Sequence, residues 1–164
     1  MRSVIAIYVE NKYGVLTRVS GMFMRKGFNI DSLTVGETDD PAYSRITITL
    51  NGDKYAREQL INQLRKLYNV KQVKLLEPET SVERELMLIK VRNTPENRSE
   101  VLAAAEIYRA KVIDYTTDAM CVEVTGEPQK IKAFIEVMKP LGIIEMCRTG
   151  AVALQRGGTI MEKE

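Results

Sequence analysis

Apolar residues recur along this chain at two spacings, and the points where one spacing gives way to the other mark its elements. From Ser3 to Val9, Val4, Ala6 and Tyr8 alternate with Ile5, Ile7 and Val9, so both faces are apolar and the run predicts a central β-strand. From Val15 the period lengthens. Val15, Leu16, Val19, Met22 and Phe23 form one helical stripe, with Gly27 as its C-terminal stop. Ile30 to Glu37 reads as a strand, Asp40-Pro41 as a turn, and Ser44 to Leu50 as a returning strand with Ile46, Ile48 and Leu50 on one face. Past Asn51-Gly52-Asp53, a second stripe of Ala56, Leu60, Ile61, Leu64 and Leu67 predicts a helix, and Val70 to Leu76 a last strand. The order is βαββαβ.

The polar stretch "EPETSVERE", with Pro78, then interrupts the pattern and predicts a linker over 78–85. Beyond it the order recurs. Leu86–Val91 is a strand, "NTPENRSE" a loop with Ser99 as helix N-cap, Val101–Tyr108 a helix, and Val112–Thr116 a strand before a Thr117-Asp118 turn. Met120–Val124 follows, then a helix with Pro128 in its first turn and Ile131, Phe134, Ile135 and Met138 as its stripe, then Gly142 and a strand from Ile143. Two copies of one unit, offset by roughly 80 residues, predict an α+β protein of two tandem ferredoxin-like βαββαβ domains, each with two helices on a four-stranded antiparallel sheet. The expected boundaries are 1–77, a linker at 78–85, 86–157, and a mobile tail at 158–164.

Composition narrows the chemistry. Lys and Arg number 24 against 22 Asp and Glu, and a net charge of +2 carries no polyanion-binding signal, so nucleic acid is not an expected partner. No apolar run reaches membrane-spanning length, and the N-terminal run meets Glu10 too soon for a signal peptide. Cys121 and Cys147 read as buried thiols in a reducing cytoplasm. With no His in the chain, His-based triads and His-ligated metals are excluded, and two scattered cysteines cannot build a zinc site.

The βαββαβ order hosts RNA-binding modules, metal carriers, small enzymes and amino-acid sensors, so residues must discriminate among them. Lys26-Gly27-Phe28 resembles the start of an RNA-binding motif but lies before the second strand and lacks the aromatics that follow; the first loop has no Cys pair for a metal. Asp31, Asp39 and Asp40 are candidate acids, although acids beside a turn are ordinarily turn formers. The stretch "VENKYGVLTRVSGMFMRKGFNIDSL" fits a sensor best. Backbone N–H groups of residues 13–16 at a helix start suit a carboxylate, Gly14 lets backbone approach it, and Asn11 offers both an acceptor and a donor. The same residues also read as a loop-capping Asn and a turn-relieving Gly.

The stretch "ENKYGVLTRVSGMFMRKGFNIDSLTVGETDDPAYSRITI", followed by "VERELMLIKV", "RAKVIDYT" and "RTGAVALQRG", closely resembles the small, regulatory subunits of acetohydroxyacid (acetolactate) synthase, over nearly the whole chain. The resemblance implies that the first unit is an ACT domain and that the chain has no catalytic residues of its own. It implies a partner, the large catalytic subunit, which this chain activates and subjects to feedback inhibition by a branched-chain amino acid, commonly valine. It implies that thiamine diphosphate, magnesium and FAD belong to that catalytic subunit, with no cofactor here. It further implies a homodimer through the ACT domains, with the effector held by Asn11, Gly14, Val15 and Leu16 of one chain and by Asn29 and Ile30 of the other. Val15, Leu16 and Ile30 would floor an aliphatic pocket, where valine gains about 1.6 kcal/mol over alanine at roughly 0.8 per buried carbon. The loop departs from the family at Lys12-Tyr13, where relatives often carry small residues or proline. A stand-alone ACT-type sensor acting on another enzyme is the alternative. The second unit lacks a matching loop and is expected to be structural or to face the catalytic subunit, and Glu83, Arg84 and Glu85 read equally as contact residues or as a solvated linker.

Overall fold

The computed structural model describes residues 1–25 and 28–161. Strands β1 (Arg2–Glu10), β2 (Asn29–Glu37), β3 (Tyr43–Asn51) and β4 (Val70–Leu76) form one antiparallel sheet in the order β2-β3-β1-β4, with helices α1 (Val15–Arg25) and α2 (Lys54–Leu64). Strand β1 is central, as its two apolar faces require. Ile5, Ile7 and Val9 pack beneath the helices with Val15, Val19, Phe23, Leu60 and Leu64, whereas Val4 and Ala6 meet Leu76, Ala153 and Met161 on the other face. Burying these side chains gives this small sheet its stability, about 1.5–3 kcal/mol for each large one fully withdrawn from water.

The second sheet repeats the plan with β5 (Ser81–Arg92), β6 (Lys111–Tyr115), β7 (Ala119–Gly126) and β8 (Ile143–Gln155) in the order β6-β7-β5-β8, carrying α3 (Arg98–Ile107) and α4 (Pro128–Met138). Its core joins Met87, Ile89 and Val91 of β5 to Val101, Ile131, Phe134 and Met138, and Tyr108 meets Phe134 edge-on at 5.3 Å. Both units are the α+β, ferredoxin-like fold predicted from the periodicity.

Several local features differ from the sequence reading. The stretch 78–85 is no open linker: Pro78–Thr80 makes a 3-10 turn and Ser81 already begins β5. Compact packing groups Met1–Val82 with the chain from Ala151 onward, and Glu83–Gly150 separately. Within the first group the C-terminal segment is anchored. Arg156 N–H donates to Thr80 O at 2.8 Å, Arg45 Nη2 donates to Ala153 O at 2.9 Å, and Arg45 Nη1 lies 3.2 Å from Met161 Sδ. Burial draws the Arg45 guanidinium down from its usual pKa. The proposed Gly27 helix stop and residues 162–164 of the tail lie outside the described residues.

Helix α3 is not capped by Ser99. Thr94 and Asn97, five and two residues earlier, satisfy each other: Thr94 N–H donates to Asn97 Oδ1 at 2.9 Å and Asn97 N–H to Thr94 Oγ1 at 3.3 Å, with Pro95 between them. The thiols are not buried. Cys121 is half-buried opposite Lys90 and Asp114, on the face of β7 that alternation turns away from Met120 and Val122, and Cys147 is exposed on edge strand β8.

Candidate functional site

The loop between β1 and α1 is shaped by one asparagine and one glycine. Asn11 N–H donates to Ala42 O at 2.8 Å, and both hydrogens of its side-chain amide are used, toward Glu37 Oε1 at 3.1 Å and Pro41 O at 3.0 Å. Two oxygen acceptors fix which end of the amide is nitrogen, so Oδ1 faces the other way as a free acceptor. Asn11 is therefore an acceptor only, not the donor to a carboxylate that the sequence reading allowed. Gly14 has φ +84°, the left-handed region that favours glycine, and no atom lies within 4 Å of where a Cβ would stand.

Helix α1 then starts without a side-chain cap. Val15 N–H reaches Lys12 O at 3.4 Å and Arg18 N–H reaches Gly14 O at 3.1 Å; among the described residues no acceptor meets the N–H groups of Leu16 and Thr17, and no acid stands in the first turn. Helix α2 shows the contrast, since the Asp53 carboxylate accepts from Tyr55 N–H and Ala56 N–H. The start of α1 is thus electropositive and unoccupied by protein groups.

A charged cluster flanks the loop. Lys12 Nζ and Lys71 Nζ lie 2.8 and 2.9 Å from the Glu10 carboxylate, and their hydrogen bonds hold Glu10 below the usual carboxylate range while Glu10 raises both lysines. With its amide turned so that oxygen and nitrogen each meet a complementary group, Asn69 donates to Glu10 Oε2 at 3.1 Å and accepts from Arg18 Nη1 at 2.7 Å. Lys12, in the part of the loop that the resemblance sets apart, is thus committed to Glu10, while Tyr13 projects fully into solvent at 103% exposure.

Of the six residues singled out from the sequence, Asn11, Gly14, Val15 and Leu16 come together. Val15 is a core side chain and offers only backbone, whereas Leu16 is 43% exposed and can touch a ligand. Asn29 and Ile30 stand elsewhere: Asn29 pairs with Asn51 at one end of β3, and the loop adjoins Tyr43 at the other, about 27 Å away at about 3.4 Å per residue. Ile30 is half-buried against the core. One chain therefore does not bring the two sets together.

The second unit repeats the asparagine without the site. Asn93 N–H donates to Asp118 O at 2.9 Å and Asn93 Nδ2 to Thr116 O at 2.6 Å, the same two bonds to the facing turn that Asn11 makes. Here, however, Arg98 Nε donates to Asn93 Oδ1 at 2.7 Å, and Asn97 Nδ2 donates to Arg92 O and Leu141 O. Arg98 follows Asn93 at the spacing by which Leu16 follows Asn11. The acceptor left open in the first unit is covered in the second. Glu85 does not stand on a solvated linker: it is 5% exposed and accepts from Arg148 Nε at 2.5 Å and Nη2 at 3.1 Å.

Sequence reasoning missed Glu37 and Pro41 as the partners of Asn11, 26 and 30 positions along the chain. Among the described residues no group of three or more His, Cys, Asp or Glu side chains could hold a metal, and no helix is long and apolar enough to cross a membrane.

Residues 5–72 match the family described as AHAS small subunit-like ACT domain, and residues 84–157 the family described as small subunit of acetolactate synthase. A probable acetolactate synthase small subunit of Archaeoglobus fulgidus is 49% identical over 96% of this chain and 98% of its own length. The isozyme 3 small subunit of Salmonella typhimurium is 41% identical over 98% of this chain and 99% of its own. The crystal structure of an acetolactate synthase small subunit from Thermotoga maritima superposes with a TM-score of 0.88 at 39% identity, covering 97% of this chain and 99% of that one.

Proposed function

Because the chain belongs to the acetolactate synthase small-subunit family, and its first unit is an ACT domain, we propose that it is the regulatory partner of a large catalytic subunit, activating it and subjecting it to feedback inhibition by a branched-chain amino acid, valine above all. The observation that carries the effector reading is the uncapped start of α1 behind Gly14, beside an asparagine whose only unused side-chain atom is an acceptor. A free amino acid complements both: its carboxylate meets the open N–H groups of Leu16 and Thr17, its ammonium meets Asn11 Oδ1, and its aliphatic side chain lies over Leu16. Thiamine diphosphate, magnesium and FAD belong, on this reading, to the catalytic subunit.

The separation of about 27 Å between the loop and Asn29 within one chain supports a site shared by two chains. Strand β2 is an edge strand, and antiparallel pairing of two β2 edges brings the Asn29 end of one copy against the Glu37 end of the other, next to the loop. Asn29 and Ile30 of a second copy then close the pocket. Adding this chain to the catalytic acetolactate synthase subunit of its own organism tests the proposal: the rate should rise, and valine should lower it again. A rate unmoved by the chain would favour a sensor serving another enzyme, and stimulation that valine, leucine and isoleucine all leave intact would remove the effector reading.

A further inference from the structure

We propose that Glu37 makes this loop selective for an α-amino acid, receiving the ligand's ammonium together with the Asn11 amide oxygen and so rejecting the α-hydroxy or α-keto acid with the same side chain. The inference rests on the effector reading of the Asn11–Leu16 loop. Glu37 ends edge strand β2 opposite Ser44, and Asn11 Nδ2 holds one of its oxygens at 3.1 Å. Among the described residues no lysine or arginine pairs with it: the nearby cations Lys12 and Lys71 are bound to Glu10, and Arg18 to Asn69. A carboxylate tethered by a neutral amide keeps its charge and its second oxygen for a cation brought from outside.

The second unit supplies the comparison. Its turn threonine, Thr116, repeats Thr38: Asp118 N–H donates to Thr116 Oγ1 at 3.4 Å as Asp40 N–H donates to Thr38 Oγ1 at 3.2 Å. The residue before that threonine is Tyr115 there and Glu37 here. Where the asparagine oxygen is covered by an arginine, the carboxylate is missing; where the oxygen is open, a carboxylate is held by the nitrogen of the same amide. Acceptor and charge occur as a pair, which is what an ammonium requires and a hydroxyl or ketone does not. For a feedback site the distinction matters, since an amino acid and its deaminated counterpart share one side chain and aliphatic packing cannot tell them apart.

Calorimetric titration of the full chain and of Glu37→Gln with valine, leucine and isoleucine, each beside its 2-hydroxy analogue, tests the inference. Gln keeps an amide oxygen for Asn11 to donate to, so the loop is preserved while the charge is lost; an unchanged melting temperature verifies this. The wild-type chain should bind at least one amino acid roughly tenfold or more tightly than its hydroxy acid, the scale of a charge-assisted hydrogen bond. Glu37→Gln should lose most of that ratio through weaker amino-acid binding. A ratio unchanged in the variant, or wild-type binding of both analogues alike, overturns the role of Glu37 and leaves the loop reading standing. Absence of binding by all six compounds overturns the loop reading, and the role of Glu37 with it.

Discussion

Single residues set what the loop can do. Gly14 sits at φ +84° with open space around it, so Gly14→Ala meets no clash and costs only the left-handed backbone penalty of about 1–2 kcal/mol. A thermal melt should record a fall of several degrees. Glu10, held low by Lys12 and Lys71, contributes stability that is fully present above about pH 4.3, the value of an unperturbed glutamate, and is lost as pH falls through its depressed native value. Melting temperatures measured between pH 5 and pH 2 should therefore fall less steeply in Glu10→Gln than in the wild type; because the cluster lies at the surface, with Lys12 64% exposed, the difference should be small and should shrink with salt. From the sequence, Asn11 and Gly14 were recognisable as a capping or binding pair, but which atoms of Asn11 are spent was not. Its partners come from the end of β2 and the turn after it, and side-chain contacts that remote leave no trace in local spacing.

Elements were legible wherever packing follows period. The double-faced strand β1 and the stripes of α1 and α4 could be read directly because burial alone selects those positions. What escaped was polar bonding. The start of α3 is set by Thr94 with Asn97 in the place usually held by Glu or Gln, and Ser99 looked like the better cap because it stands nearer the apolar stripe. Thr94→Ala should cost about 1 kcal/mol and raise amide hydrogen exchange across the first turn of α3 before other segments. Glu85 escaped for a related reason: an acid in a polar stretch reads as solvated, yet alternation along β5 turns it to the same side as Met87 and Ile89, where Arg148 compensates it. The tail gave no signal at all, since Met161 packs on Val4, Ala6 and Leu76 as one isolated side chain with no period to announce it.

At the scale of the whole molecule, the proposed dimer and the repeat both bear on how the chain is tested. An edge strand such as β2 is guarded when charged and available when not, and Val35, 41% exposed, is one of its uncharged positions. Val35→Lys should shift sedimentation toward the single chain and weaken valine binding together, because on the proposed reading the second copy completes the pocket. The two asparagines have a further use. Asn11 serves architecture and, on the proposed reading, ligand; Asn93 makes the same two bonds to its turn but has its acceptor closed by Arg98. Each molecule therefore carries its own calibration standard. The stability lost by Asn93→Ala, corrected for its arginine contact by a paired Arg98 variant, gauges what anchoring such a turn is worth, and any loss of valine response in Asn11→Ala beyond that stability change is attributable to recognition rather than to a loosened loop.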